Sequence, residues 1–144
     1  MTPISEIYDS FLMLLEDRSL SKLAKDDFDF LLLTWLKNAI PRFNNCRKSL
    51  QIKDVFYQDK NQKVIDSELD YEEISILAHA MLLLWTKKRL HREQLTEQQF
   101  GTKDFSKLSN SNVLLRLKDT YEVDLKEFNS MKRRYGMKFI GELN

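Results

Sequence analysis

Ile74-Ser-Ile-Leu-Ala-His-Ala-Met-Leu-Leu-Leu-Trp85 is the stretch on which the fold turns. Ile74, Leu77, Ala80, Met81, Leu84 and Trp85 recur at spacings of three and four, which predicts one helical stripe, and Ile76, Leu82 and Leu83 widen it. A helix apolar on most sides is either central in a bundle or covered by another chain. Just upstream, Asp70 to Glu73 has the form of a capping box, a short polar residue followed three places on by Glu. Downstream, Lys87, Lys88, Arg89 and Arg92 are favourable charges near a helix carboxyl terminus.

Outward from that helix the chain reads as more helix. Gly101-Thr-Lys-Asp-Phe-Ser-Lys-Leu-Ser-Asn-Ser-Asn112 is expected to be a polar hinge, with Gly101 breaking one helix and Ser109 to Asn112 capping the next. Val113 or Leu114, Leu117, Tyr121, Leu125, Phe128, Met131 or Lys132, and Tyr135 then form the longest amphipathic pattern, expected to span ~36 Å and to end at Gly136 in a left-handed cap. At the other end, Thr2-Pro3 is a good helix start, and Ile4, Ile7, Tyr8, Phe11, Leu12 and Leu15 make a first helix over about 3–16. Asp17 to Lys25 reads as a connector. A second helix runs from the Asp26, Asp27, Asp29 cluster through Leu32, Leu36 and Phe43, with a kink or early stop where Pro41 removes a hydrogen bond. Residues 50–68 differ: Val55-Phe-Tyr57 and Val64-Ile65 flank Asp59-Lys-Asn-Gln62, a small β-hairpin or a flexible excursion. The expected fold class is therefore all-α: about four helices, a long carboxyl-terminal one, this excursion, and an extended tail. The helical domain covers 1–136 and the tail 137–144.

Composition bounds the function. With 144 residues one core is enough, and about 70% of the unfolded surface can be buried. A net charge of +1 lacks the basic bias of a dedicated nucleic-acid binder. Charge is uneven, with Glu6, Asp9, Glu16 and Asp17 early and Lys87 to Arg92 and Lys132 to Lys138 later, a gradient that suits head-to-tail contact between copies or a set of solvated faces. Cys46 is the sole cysteine, so no disulfide can form within the chain. Apolar runs fall short of the ~20 residues of a membrane span, and no charged-then-apolar leader opens the chain, so a soluble cytoplasmic product and no membrane partner are expected.

No residue pattern suggests chemistry. His79 and His91 lack a Cys or carboxylate at ligand spacing, so no metal is expected. Cys46 has no histidine near it in sequence, and Glu72 and Glu73 fit helix capping better than acid and base. Gly101, Gly136 and Gly141 are too far apart to cradle a phosphate. Trp35 and Trp85 fit core or subunit contacts. No enzyme and no cofactor is expected.

Ile74 to Trp85, Gly101-Thr-Lys-Asp-Phe105 and Ser111-Asn-Val-Leu-Leu-Arg-Leu-Lys118, with Tyr8 and Leu36 to Cys46 upstream, resemble a group of short neck proteins from tailed phages of low-GC Gram-positive hosts. They are head-to-tail connector or adaptor components. The resemblance covers about residues 4–135, and its most specific part is the Gly-Thr-Lys-Asp-Phe block. Pro41, where a good helix former is usual, and the basic segment after Trp85 depart from the pattern.

The resemblance implies a structural virion protein, made in the host cytoplasm, that forms a ring, commonly a dodecamer, beneath the portal protein. Such a ring extends the channel through which double-stranded DNA passes and receives the next component, a stopper or tail completion protein. It also implies a portal-docking tail, here Met137, Lys138, Phe139, Ile140 and Leu143, with Phe139 and Ile140 as anchors. The alternative is that Phe139 and Ile140 fold back on the domain's own core. Val55, Phe56, Tyr57, Lys60, Val64 and Ile65 would reach a neighbouring subunit or line the channel. The reading supposes more apolar surface than a solitary bundle needs. Its rival is a small helical DNA-binding regulator or packaging factor using Lys87 to Arg92 or Lys132 to Arg134 on phosphate.

Overall fold

The computed structural model describes residues 1–15, 25–100 and 104–140. A two-residue strand β1 (Thr2–Pro3) leads into α1 (Ile4–Leu14), followed by α2 (Lys25–Ala39), the hairpin strands β2 (Ile52–Tyr57) and β3 (Lys60–Ile65), and two long helices, α3 (Tyr71–Phe100) and α4 (Asp104–Met137). The connector expected at Asp17 to Lys25 lies, up to residue 24, outside the described residues.

The expected all-α class is corrected. The fold is mixed though mostly helical: the described residues form four α-helices beside a three-stranded antiparallel sheet in the order β1-β3-β2. Two strands alone would be marginal in water. Here β1 pairs with β3, Thr2 opposite Ile65, while Val64 and Ile65 are buried. Burying each such side chain contributes about 1.5–3 kcal/mol, enough to hold a hairpin that the polar remainder of β3 could not. The turn is Gln58-Asp59, earlier than the expected Asp59 to Gln62, and both residues adopt positive φ (52° and 60°) as a two-residue reversal matching strand twist requires.

α3 is the central element, in contact with α1, α2 and α4. Ile76, Leu77, Ala78, Ala80, Met81, Leu82, Leu83 and Trp85 are all buried in one core with Ile7, Phe11, Trp35, Leu36, Phe43 and Phe128. Of the two readings of an all-round apolar helix, the central one holds, and this girth leaves no surplus for a sister chain. Phe11 meets Trp35 edge to face at 5.8 Å, joining α1 to α2 inside the core.

Several boundaries move for physical reasons. α2 stops at Ala39 and passes into a 3₁₀ turn over Ile40–Arg42, as the missing Pro41 N–H demands. α3 runs to Phe100, so Lys87 to Arg92 sit mid-helix rather than at its carboxyl end. α4 begins at Asp104, which places Ser109 to Asn112 inside the helix and leaves only Gly101 to Lys103, outside the described residues, between α3 and α4. At 34 residues α4 is ~51 Å long. Gly136 lies within it and has no positive φ, so it is not a left-handed cap.

Thr2 does not cap α1 either. The residue before the helix is Pro3, with no side-chain cap bond. Thr2 Oγ1 instead donates to the Ser67 carbonyl at 2.8 Å and accepts from the buried Leu69 amide at 2.8 Å, fastening the amino terminus to the start of α3. Thr2→Val is therefore expected to cost about 1–3 kcal/mol, because the Leu69 N–H is left without its acceptor. Thr2→Ser should retain most of the stability, and urea unfolding of the two variants checks this.

Candidate functional site

The densest polar cluster lies where α3 begins and α4 ends. Its centre is Glu73, which is 1% exposed. The capping box read from sequence is present: the Glu73 amide donates to Asp70 Oδ1 at 2.8 Å and the Asp70 amide to Glu73 Oε1 at 2.9 Å. The same carboxylate takes Lys48 Nζ on Oε1 at 2.8 Å and the Tyr135 hydroxyl on Oε2 at 2.7 Å. Cys46 Sγ lies 3.8 Å from Oε2. The Tyr135 oxygen accepts the Arg47 amide at 3.2 Å. One buried anion thus joins the starts and ends of three segments: the loop 43–48, the first turn of α3 and the last turns of α4.

Burial opposes the charge on Glu73, but the Asp70 amide, Lys48 and Tyr135 outweigh it and hold the carboxyl below its ordinary value. Burial and the neighbouring carboxylate push the Tyr135 phenol up, against the Arg47 amide, so Tyr135 stays a donor at neutral pH. Burial likewise raises the Cys46 thiol, which suits an inert thiol and not a nucleophile. With its oxygens engaged, Glu73 is an anchor with no acid or base capacity free for a substrate.

Around this knot the carboxyl-terminal end is layered on the loop. Tyr135 stacks edge to face on Phe43 and on Phe139, both at 5.1 Å. The Arg47 guanidinium sits 4.0 Å over the Phe139 ring. Asn45 Nδ2 donates to the Lys132 carbonyl at 2.9 Å, and a Cβ on Gly136 would meet that nitrogen at 3.3 Å. Gly136 is thus explained by close approach. Lys138 pairs with Glu72, tying the last described turn to the first turn of α3.

The residues expected to form a docking tail divide. Met137 is the last residue of α4 and exposed, Lys138 is paired, and Phe139 packs against the core. Ile140 is 58% exposed, and Leu143 lies outside the described residues. Phe139 therefore follows the fold-back alternative and Ile140 does not. Tyr71, 89% exposed, stands at the same end, next to Glu72. In the hairpin, Phe56 and Lys60 are exposed and Val55 is half-buried, whereas Val64 and Ile65 belong to the core and are withdrawn from any neighbour or channel. Tyr57 ends β2, and its side chain is outside the described set.

His79 Nδ1 donates to the Ser75 carbonyl at 2.8 Å on the same helix, and His91 is exposed on α3. Among the described residues no group of three or more His, Cys, Asp and Glu could hold a metal, and no helix is long and apolar enough to cross a membrane. Trp35 and Trp85 are core residues. The links from Glu73 to Tyr135 and from Asn45 to Gly136 were not read from sequence. The capping box pointed to Glu73, but nothing local marks which distant hydroxyl or ammonium will share its oxygens. No protein-family model, no curated protein and no solved structure matches this chain.

The depressed Glu73 carboxyl stabilises the fold above the unfolded glutamate value of about 4.3, and that contribution is lost as pH falls through the lower folded value. Glu73→Gln should cost about 1.5–3 kcal/mol at pH 7, with the gap to the parent narrowing below about pH 4.3 in denaturant titrations. Tyr135→Phe should cost about 1–3 kcal/mol by orphaning Oε2. A second outcome concerns Gly136: alanine gains up to about 1 kcal/mol of helix propensity but crowds Asn45. Gly136→Ala should be more favourable in an Asn45→Ala background than in the parent, a coupling that a double-mutant cycle reads.

Proposed function

We propose that the chain is a non-catalytic assembly protein, specifically a head-to-tail connector of a tailed-phage neck that forms a ring beneath the portal and receives the next neck component. The observation that carries the reading is the apolar end of the molecule. Exposed Tyr71 adjoins Glu72 at the start of α3, exposed Met137 closes α4 and exposed Ile140 follows it, and the Lys138–Glu72 pair joins these two chain ends. Exposed apolar side chains that gather at one place mark a contact surface more often than scattered ones do. Rigid support adds to this: the Glu73 knot fixes α4 up to its last turn, so an incoming partner meets a preorganised surface and loses little entropy on ordering it.

The resemblance in Ile74 to Trp85, Gly101 to Phe105 and Ser111 to Lys118 supplies the class of partner: portal below the capsid, stopper or tail completion protein beyond, and double-stranded DNA in transit. Near-neutral charge suits a channel wall, since each Lys or Arg engaged with phosphate adds salt-dependent affinity that would slow passage.

Phe139 packs against the core, so the informative truncation removes only Ile140 to Asn144. That chain should keep its thermal stability while its binding to portal-bearing heads falls by about tenfold or more, as loss of an apolar anchor predicts. Undiminished attachment, seen by co-sedimentation with heads, would remove the docking role. Tight, salt-sensitive binding to DNA fragments in the same preparation would favour the regulator instead.

A further inference from the structure

Two exposed helical stripes have matching designs. On α1, Glu6, Asp9 and Met13 fall at positions i, i+3 and i+7, one outward line of acid, acid and apolar. On α3, Lys88, His91 and Leu95 fall at the same spacing, one outward line of cation, imidazole and apolar, with Lys87 beside it. Met13 is 74% exposed and Leu95 47%. None of Glu6, Asp9, Lys87, Lys88 and His91 makes an ion pair among the described residues.

We propose that the α1 stripe of one copy docks in parallel on the α3 stripe of the next, Glu6 against Lys88, Asp9 against His91 and Met13 against Leu95. Spacings of three and four are those at which facing helices interdigitate, and the shared order of charge and apolar group fits only the parallel direction. The contact cannot be made within one chain. The Thr2–Leu69 bond starts α1 beside the start of α3, which leaves Lys88 roughly 20 Å further along α3 than Glu6. Because one patch meets a different patch, the contact is heterologous and propagates from copy to copy, closing into a ring where the rotation permits. This deepens the assembly reading and rests on it, by naming the surface between subunits.

The test is sedimentation equilibrium of the purified full chain at low and high salt, with helicity checked by circular dichroism. The parent should gain mass with concentration at low salt and lose association at high salt. Glu6→Lys with Asp9→Lys, and separately Lys88→Glu with His91→Glu, should each weaken association by about tenfold or more, since the first reverses two facing charges and the second reverses one and sets a new carboxylate against Asp9. An equimolar mixture of the two variants should restore it, because the reversed stripes then complement each other. If either variant loses helicity, the neutral pair Glu6→Gln and Asp9→Asn replaces the first and Lys88→Gln with His91→Gln the second; each should then weaken association without restoration on mixing. A parent that stays monomeric throughout would overturn both this interface and the ring. A parent that associates indifferently to the substitutions, or reversed variants that fail to rescue each other, would overturn the interface alone.

Discussion

A carboxylate taken out of water must be surrounded by donors, and Glu73 is surrounded by donors from three parts of the chain. Lys48 comes from the loop after α2, the Asp70 amide from the turn before α3, and the Tyr135 hydroxyl from the last turns of α4. Isolated burial of such a charge would be prohibitive, and even a paired one is weak evidence for net stability. What it supplies is geometry. Each donor is specific in direction, so α4 cannot slide by a turn against α3 without stranding the anion. Apolar contacts between two long helices are far more forgiving of such a slip, and the polar knot fixes the register that they leave open.

Downstream of that register, the molecule divides along its length. The compact half gathers α1, α2, the sheet, the first half of α3 and the last third of α4 around one core. Beyond Thr86, α3 continues with exposed Lys87, Lys88 and Arg89. Arg89 leans back over Trp85 at 5.6 Å, covering the core's last aromatic as α3 leaves it.

How much of this was legible depended on whether the cause was local. The α3 stripe, the α1 stripe, the Pro41 stop and the Asp70–Glu73 box are written in neighbouring residues and appear as read. The sheet was half legible: β-branched and aromatic runs marked the hairpin, but β1 is two residues whose strand character exists only because β3 lies beside them. Thr2 was misread for the same reason, since a threonine before a proline has a local use as a cap and a distant use as a clamp on Leu69. Gly136 was likewise assigned a backbone role when its cause is the amide of Asn45. Ser109 to Asn112 look like caps, yet α4 is already running there, so their weak local preference does not set where the helix starts.

The internal use of α3 changes what an assembly can be built from. If its apolar girth were left over, any sister chain could cover it and specificity would be poor. With that girth consumed, several of the exposed apolar groups stand beside polar or charged neighbours: Met13 beside Glu6 and Asp9, Leu95 beside Lys88 and His91, Tyr71 beside Glu72. Small apolar contacts framed by charge select partners by mismatch, because a wrong pairing strands a like charge against a like charge. The stripes run along the sides of α1 and α3, whereas the docking surface proposed for the portal lies where α3 begins and α4 ends. On the proposed reading subunits would join laterally while that end stays open, the arrangement an adaptor needs to hold its sisters and a different partner at once.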